Sequence, residues 1–140
     1  MKADIREAFD KEMKAAKVAY SIGETDTALL HLERAHILGQ RYFLPHWRSH
    51  WWMLKVGRQR QDREEVSGQI VRLIAVIPGF LFGWVPKGNT GGANVSAVKP
   101  MSAPDDLKPL LADYNVWRDV VMRMIFWVAV ISAILFAFAD

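Results

Sequence analysis

From Met124 to Ala139 the chain carries no charged residue, and counting from Val120 gives a twenty-residue segment that is almost entirely apolar. A helix rises about 1.5 Å per residue, so roughly 20 residues cover the ~30 Å of a bilayer's hydrocarbon. A chain of 140 residues builds one modest core, and a helix that is apolar on every face finds little room in it. The segment is therefore predicted as a single C-terminal transmembrane helix over residues 115–140. Arg123 sits near enough to its start to snorkel. Lys108, Arg118 and Arg123 precede the apolar run and only Asp140 follows it, which by the positive-inside rule leaves the rest of the chain on the cytoplasmic side.

The remainder reads as helical. Asp4 is expected to cap a first helix with Ile5, Phe9, Met13, Ala16 and Tyr20 at helical spacing, and Gly23 to end it. Thr25 or Asp26 opens a second helix with Ala28, Leu29, Leu32, Ala35 and Leu38 inside and Gly39 as its stop. A third begins near Pro45, favourable in a first turn, and runs to Gly57. Asp62 with Glu65 resembles a capping box for a fourth, whose inner stripe is Val66, Ile70, Leu73 and Ile77. Pro78 and Gly79 are expected to interrupt it, and the apolar run 73–85, too short to span, reads as core or as membrane-interfacial with Trp84 at headgroup level.

The expected architecture is thus all-α: a four-helix head over residues 1–86, a Gly/Pro-rich loop and linker over 87–114, and the terminal helix. The first hairpin is loosely similar to a tetratricopeptide unit, though one hairpin is not an array. Met1 to Lys17 alternates charges and lacks a signal peptide's apolar core. A net charge of +3 is too small to point to nucleic acid. The absence of cysteine removes disulfides, thiolate metal sites, iron–sulfur clusters and covalent haem attachment.

All four histidines, His31, His36, His46 and His50, fall within twenty residues. His46 and His50 are four apart and share a helix face; Glu33 and His36 are three apart on the preceding helix. A tight turn between the two helices brings His36 opposite His46. The resulting candidate metal site is Glu33, His36, His46 and His50, donors that suit zinc or iron. His31 is turned roughly 140° from His36 and faces elsewhere. The spacing of Glu33 and His36 also matches half of a carboxylate-bridged di-iron pattern, with Glu7, Asp10 and Glu12 as the remaining carboxylates, and this is the one catalytic possibility. The alternative is that the histidines only hydrogen-bond within the hairpin.

Trp47, Trp51 and Trp52, interleaved with Arg48 and Lys55, suit contact with a membrane surface or a membrane protein partner. The Gly88–Gly92 loop lacks the lysine and the preceding strand of a nucleotide cradle. No histidine lies in the terminal helix to ligate haem. Ser96 and Ser102 have no discernible oxyanion hole.

The segments Glu33-Arg34-Ala35-His36-Ile37-Leu38-Gly39-Gln40, His46, His50, Trp52-Met53-Leu54, Gly88-Asn89-Thr90-Gly91-Gly92-Ala93-Asn94-Val95-Ser96 and Lys99-Pro100-Met101 resemble an uncharacterised bacterial family of short proteins, a domain of unknown function. The resemblance covers roughly residues 4–111. Members are sometimes encoded near heavy-metal resistance genes, which implies a metal connection, and the terminal helix departs from the typical member. The sequence thus leads to a non-enzymatic metal-binding or metal-handling protein at the cytoplasmic face of a bacterial inner membrane. The other reading is an accessory or assembly subunit of a larger membrane complex, docked through the small residues Ala129, Ser132, Ala133 and Ala137, with structural histidines.

Overall fold

The computed structural model describes residues 1–138, which form five α-helices and one short 3-10 turn, with no strand among them. The expected all-α class holds. The helices are α1 (Ala3–Ser21), α2 (Thr25–Gly39), α3 (Phe43–Gln59), α4 (Arg63–Phe82) and α5 (Val116–Ala137), and the 3-10 turn is Pro109–Leu111. Ala139 and Asp140, on which the far end of the expected transmembrane helix rests, lie outside the described residues.

The core forms between α1 and α2 and is closed by α3. Phe9, Met13 and Ala16 meet Ala28, Leu32 and Ala35, with Met53 and Val56 of α3 completing the cluster. The small alanines let the first two helices approach closely. Gly39 serves this packing and not a left-handed stop: its φ is not positive, and a Cβ there would come within 2.8 Å of the Phe9 ring and 2.9 Å of Pro45 Cβ. The helix starts also shift. α1 begins ahead of Asp4, which accepts from the Ile5 N–H at 2.8 Å, and α2 has Glu24, not Thr25 or Asp26, at its cap position. At α4 the Asp62 carboxylate does accept from the Glu65 N–H at 3.0 Å, but Glu65 does not reach back. It accepts instead from the Gln69 amide at 2.8 Å and the Ala93 N–H at 2.9 Å.

α4 is built inside out relative to expectation. Its buried residues are Glu65, Gln69, Arg72 and Val76, while Ile70, Val71, Ile74 and Ile77 are exposed. The spacing is helical either way; what differs is which stripe has partners. Glu65, Gln69 and the terminal nitrogens of Arg72 find specific hydrogen bonds, which offsets the cost of burying them, and the apolar stripe is left outside. Pro78 does not interrupt the helix, which runs through it to Phe82 and ends at Gly83 (φ +76°). A Cβ at Gly83 would lie 2.7 Å from the Asp119 carbonyl, so glycine is required here on both counts. The run 73–85 is consequently not core: only Val76, Gly83 and Val85 within it are buried.

Residues 87–114 pack onto the head. Leu107 and Leu111 join the core, and Arg34 donates to Asp106. α5 is seated at its first turns only. Arg41 holds Asp119 through two bonds of 2.7 and 2.8 Å, Trp117 meets Trp84 edge to face at 5.4 Å, Arg123 lies over the Phe80 ring, and Trp127 Nε1 donates to the Leu81 carbonyl at 2.9 Å. No described residue of α5 is buried. Both α4 and α5 are long and apolar enough to cross a membrane.

The two faces of α4 predict opposite sensitivities. Ile74→Ser should leave the stability of the detergent-solubilised protein within about 0.5 kcal/mol. Val76→Ala should cost about 2 kcal/mol through lost burial and a cavity. Chemical denaturation of both variants checks this, and a larger loss at position 74 would mean that the apolar stripe faces inward.

Candidate metal centre

The α2–α3 turn places His36 in the last turn of one helix opposite His46 in the first turn of the next, and helical spacing sets His50 one turn beyond. Their ring centroids form a near-equilateral triangle with sides of 4.6, 4.7 and 4.8 Å. One ring nitrogen from each lies within 4.8 Å of the other two. All three side chains are buried.

Hydrogen bonds to the outer nitrogens fix how two of the rings face. His36 Nδ1 donates to the Asn89 carbonyl at 2.8 Å, so in the neutral ring the Nε2 lone pair is free, and that atom is buried with no hydrogen-bond partner. His50 Nδ1 donates to Gln69 Oε1 at 2.7 Å. The Gln69 amide is held in that sense because its nitrogen donates to Glu65 Oε1 and to the Gly91 carbonyl, each at 2.8 Å. His50 Nε2 is therefore also a lone-pair atom, and it accepts from the His46 Nε2–H at 3.1 Å. Outer-nitrogen hydrogen bonds of this kind orient metal-ligating imidazoles. Tetrahedral bonds of about 2.05 Å would place ligand nitrogens about 3.3 Å apart, close to the His46–His50 spacing.

The glycine-rich loop is shaped to serve this cluster. Asn89 is buried; its side-chain nitrogen donates to the carbonyls of Ser96 (2.8 Å) and Lys99 (2.9 Å), and its Oδ1 accepts from the Gly91 N–H at 2.9 Å. Gly91 has φ +80°, and a Cβ there would lie 2.7–2.8 Å from the His36 ring. Any other residue would push the imidazole out of position. The loop, expected to be irregular, is thus a tied platform under His36.

The structure brings together three of the four residues singled out from the sequence. Glu33 lies outside the imidazole group, half-buried beside Gly92, where burial and the nearby Glu65 hold its carboxyl above the usual range. The i,i+3 offset of about 60° around the helix separates it from His36. His31 faces elsewhere, as expected, bonding Glu12 at 2.6 Å. Glu12 also accepts from Arg34 at 2.7 Å, Glu7 and Asp10 are exposed, and no carboxylate joins the three histidines among the described residues. A carboxylate-bridged di-iron centre is not assembled here. The residues that sequence reasoning missed are Glu65, Gln69, Arg72, Asn89 and Gly91. Asn89 alone left a signal, since Asn two residues before Gly suits a side-chain turn to that N–H.

Trp47 and Trp51 stack in parallel at 5.6 Å and are part-exposed on α3. Trp52 instead packs edge-on to Tyr20, with Lys17 and Lys55 over its ring. Lys55 also lies over the Trp51 ring, between the two.

The fold and site define a small all-helical protein with three buried imidazoles at the base of a cleft and an exposed apolar terminal helix. The chain belongs to the family described as "Protein of unknown function (DUF3703)", whose sequence profile matches residues 3–111. That span contains the whole histidine cluster and its platform and stops before α5. No curated protein and no solved structure matches the chain.

Burial pushes the His36 imidazole down to about 4, against the opposing bond to Asn89 and with help from the Arg72 charge. Burial and mutual repulsion also hold His46 and His50 well below the ordinary value. These folded-state values lie below those of the unfolded chain, so between the two the unfolded chain binds more protons and acid favours unfolding. In the metal-free protein, stability should be full above about pH 6.5 and fall as pH drops towards 4, by roughly 3 kcal/mol from His36 alone. Denaturation midpoints at pH 7 and pH 5 check this, with His36→Gln expected to flatten the dependence.

Proposed function

We propose that this is a metal-binding, metal-handling protein of a bacterial inner membrane, in which His36, His46 and His50 hold a single zinc ion. The observation that carries this reading is the set of three buried imidazoles, each with a ring nitrogen within 4.8 Å of the others, one of them with an unpartnered Nε2. An all-nitrogen donor set without a carboxylate favours zinc over the two-histidine, one-carboxylate pattern of non-haem iron. Three protein ligands leave a fourth position open to the cleft, unlike closed structural zinc sites. Neutral rings at physiological pH are ready to ligate without first releasing a proton.

In this reading α5 crosses the bilayer and the head stays cytoplasmic, supported by the excess of Lys and Arg on the head side of the apolar run. The exposed stripe of α4 and Trp84 then lie at the interface beside the start of α5. A second role as an accessory subunit is favoured by one observation: no residue of α5 within 116–137 is buried, and its small residues Ala129, Ser132, Ala133 and Ala137 are exposed, free to meet a partner helix. That role adds a neighbour and does not compete with the metal site.

Tag-free, full-length protein in a nonionic maltoside should take up about one zinc per chain by equilibrium dialysis and elemental analysis. His36→Ala, His46→Ala and His50→Ala should each abolish tight uptake, and Gln69→Leu should weaken it about 10–100-fold through loss of the bond that orients His50. His31→Ala and Glu33→Gln should retain it. Uptake unchanged by the His36, His46 and His50 substitutions would remove the site.

A further inference from the structure

The cleft above the imidazoles has two chemically different ends. It encloses about 300 Å³. The three buried rings share its lining with Arg72, and most of the remaining lining is apolar, Val76 and Phe82 of α4 with Val85 and Val98 among it. Arg72 is only 9% exposed. Its terminal nitrogens donate to the Val95 carbonyl at 2.6 Å and the Gly68 carbonyl at 3.3 Å, while its Nε is buried without a partner. Two unmet polar atoms thus sit in one wall: a lone pair on His36 and an N–H on a fixed guanidinium.

Charge decides what completes this arrangement. Glu65, the carboxylate that acts on Arg72, already accepts from Gln69 and the Ala93 N–H. A divalent ion held by three neutral imidazoles therefore leaves the inner end with positive charge in excess, and positive charge in an apolar wall is costly without a counterion. One small anion ligating the metal and accepting from Arg72 Nε answers both needs. Nε is the one Arg72 nitrogen without a hydrogen-bond partner, and a carboxylate head has one oxygen for it and one for the metal. The outer end offers hydrocarbon walls and opens past exposed Phe82, Trp84 and Val98, on the side where Trp84 packs against Trp117 of α5.

Resting on the zinc reading above, we propose that the cleft binds a long-chain carboxylate whose head bridges the metal and Arg72 and whose alkyl chain lies along the apolar wall, entering from the membrane side. The anionic head follows from the guanidinium, and the chain from the wall and its position beside α5.

The test uses the full chain in maltoside loaded with cobalt(II), whose visible spectrum reports loading before any ligand is added. Acetate, hexanoate and decanoate are then titrated in turn, with affinities referred to free ligand. The expected result is a change in the cobalt bands with every carboxylate and an affinity rising about fourfold for each added methylene that the wall covers. Arg72→Gln should still load cobalt but bind all three at least tenfold more weakly. Val98→Asp, on the exposed rim where folding is not at stake, should weaken decanoate and leave acetate unchanged. Equal affinity for acetate and decanoate would make the ligand a free small anion and overturn the proposal. So would a cobalt spectrum indifferent to carboxylates, or a decanoate affinity unmoved by Val98→Asp. Protein that takes up no cobalt would overturn the metal reading first, and this one with it.

Discussion

Three neutral, buried imidazoles are packed with their ring centroids within 5 Å of one another, and most of the fold's unusual features follow from that. Charging any one ring would place an unpaired cation among low-dielectric walls, so the fold keeps the rings neutral and turns two of them by hydrogen bonds at their outer nitrogens. Those bonds need acceptors of fixed direction. Gln69 supplies one because Glu65 and Gly91 hold its amide from behind, and Asn89 supplies the other because its own side chain ties down the loop that carries its carbonyl. The polar stripe of α4 and the glycine-rich loop are thus parts of one scaffold around the histidines.

The same requirement explains why α4 shows hydrocarbon to the outside. A helix that must present Glu65, Gln69 and Arg72 to the interior has its apolar residues left over on the outside, and its last turn, at Phe80 and Leu81, meets α5. In water such a face would be a liability. It belongs to a helix that, like α5, is long and apolar enough to cross a membrane. Arg41 and Asp119, Gly83 against the Asp119 backbone, and Trp84 against Trp117 fix where that helix leaves the head, so the cleft and the apolar surface meet on one side of the molecule.

The helices and the meeting of His36, His46 and His50 were legible because both depend on local spacing: period 3.6 within each helix and a short turn between two of them. Glu33 was assigned to the same site by that local argument, and the 60° offset from His36 was enough to send it to Gly92. The orientation of α4 is not legible because hydrophobic periodicity identifies a stripe without saying whether the rest of the protein covers it. Glu65 looked like half of a capping box, and only the folded chain shows that Gln69 and Ala93 claim its oxygens. The role of residues 87–101 was hidden because it depends on contacts more than fifty residues away, between Asn89 and His36. Pro78 predicts a break by its chemistry alone, yet the helix continues through it.

The most direct test of the central claim is X-ray absorption at the zinc edge of the protein loaded with one equivalent of zinc in maltoside. Three imidazole shells with zinc–nitrogen distances of about 2.0–2.1 Å and a single further light-atom ligand are predicted. A first shell of six oxygens, or one in which imidazole scattering is weak and persists in the His36→Ala, His46→Ala double variant, would contradict a centre built from His36, His46 and His50.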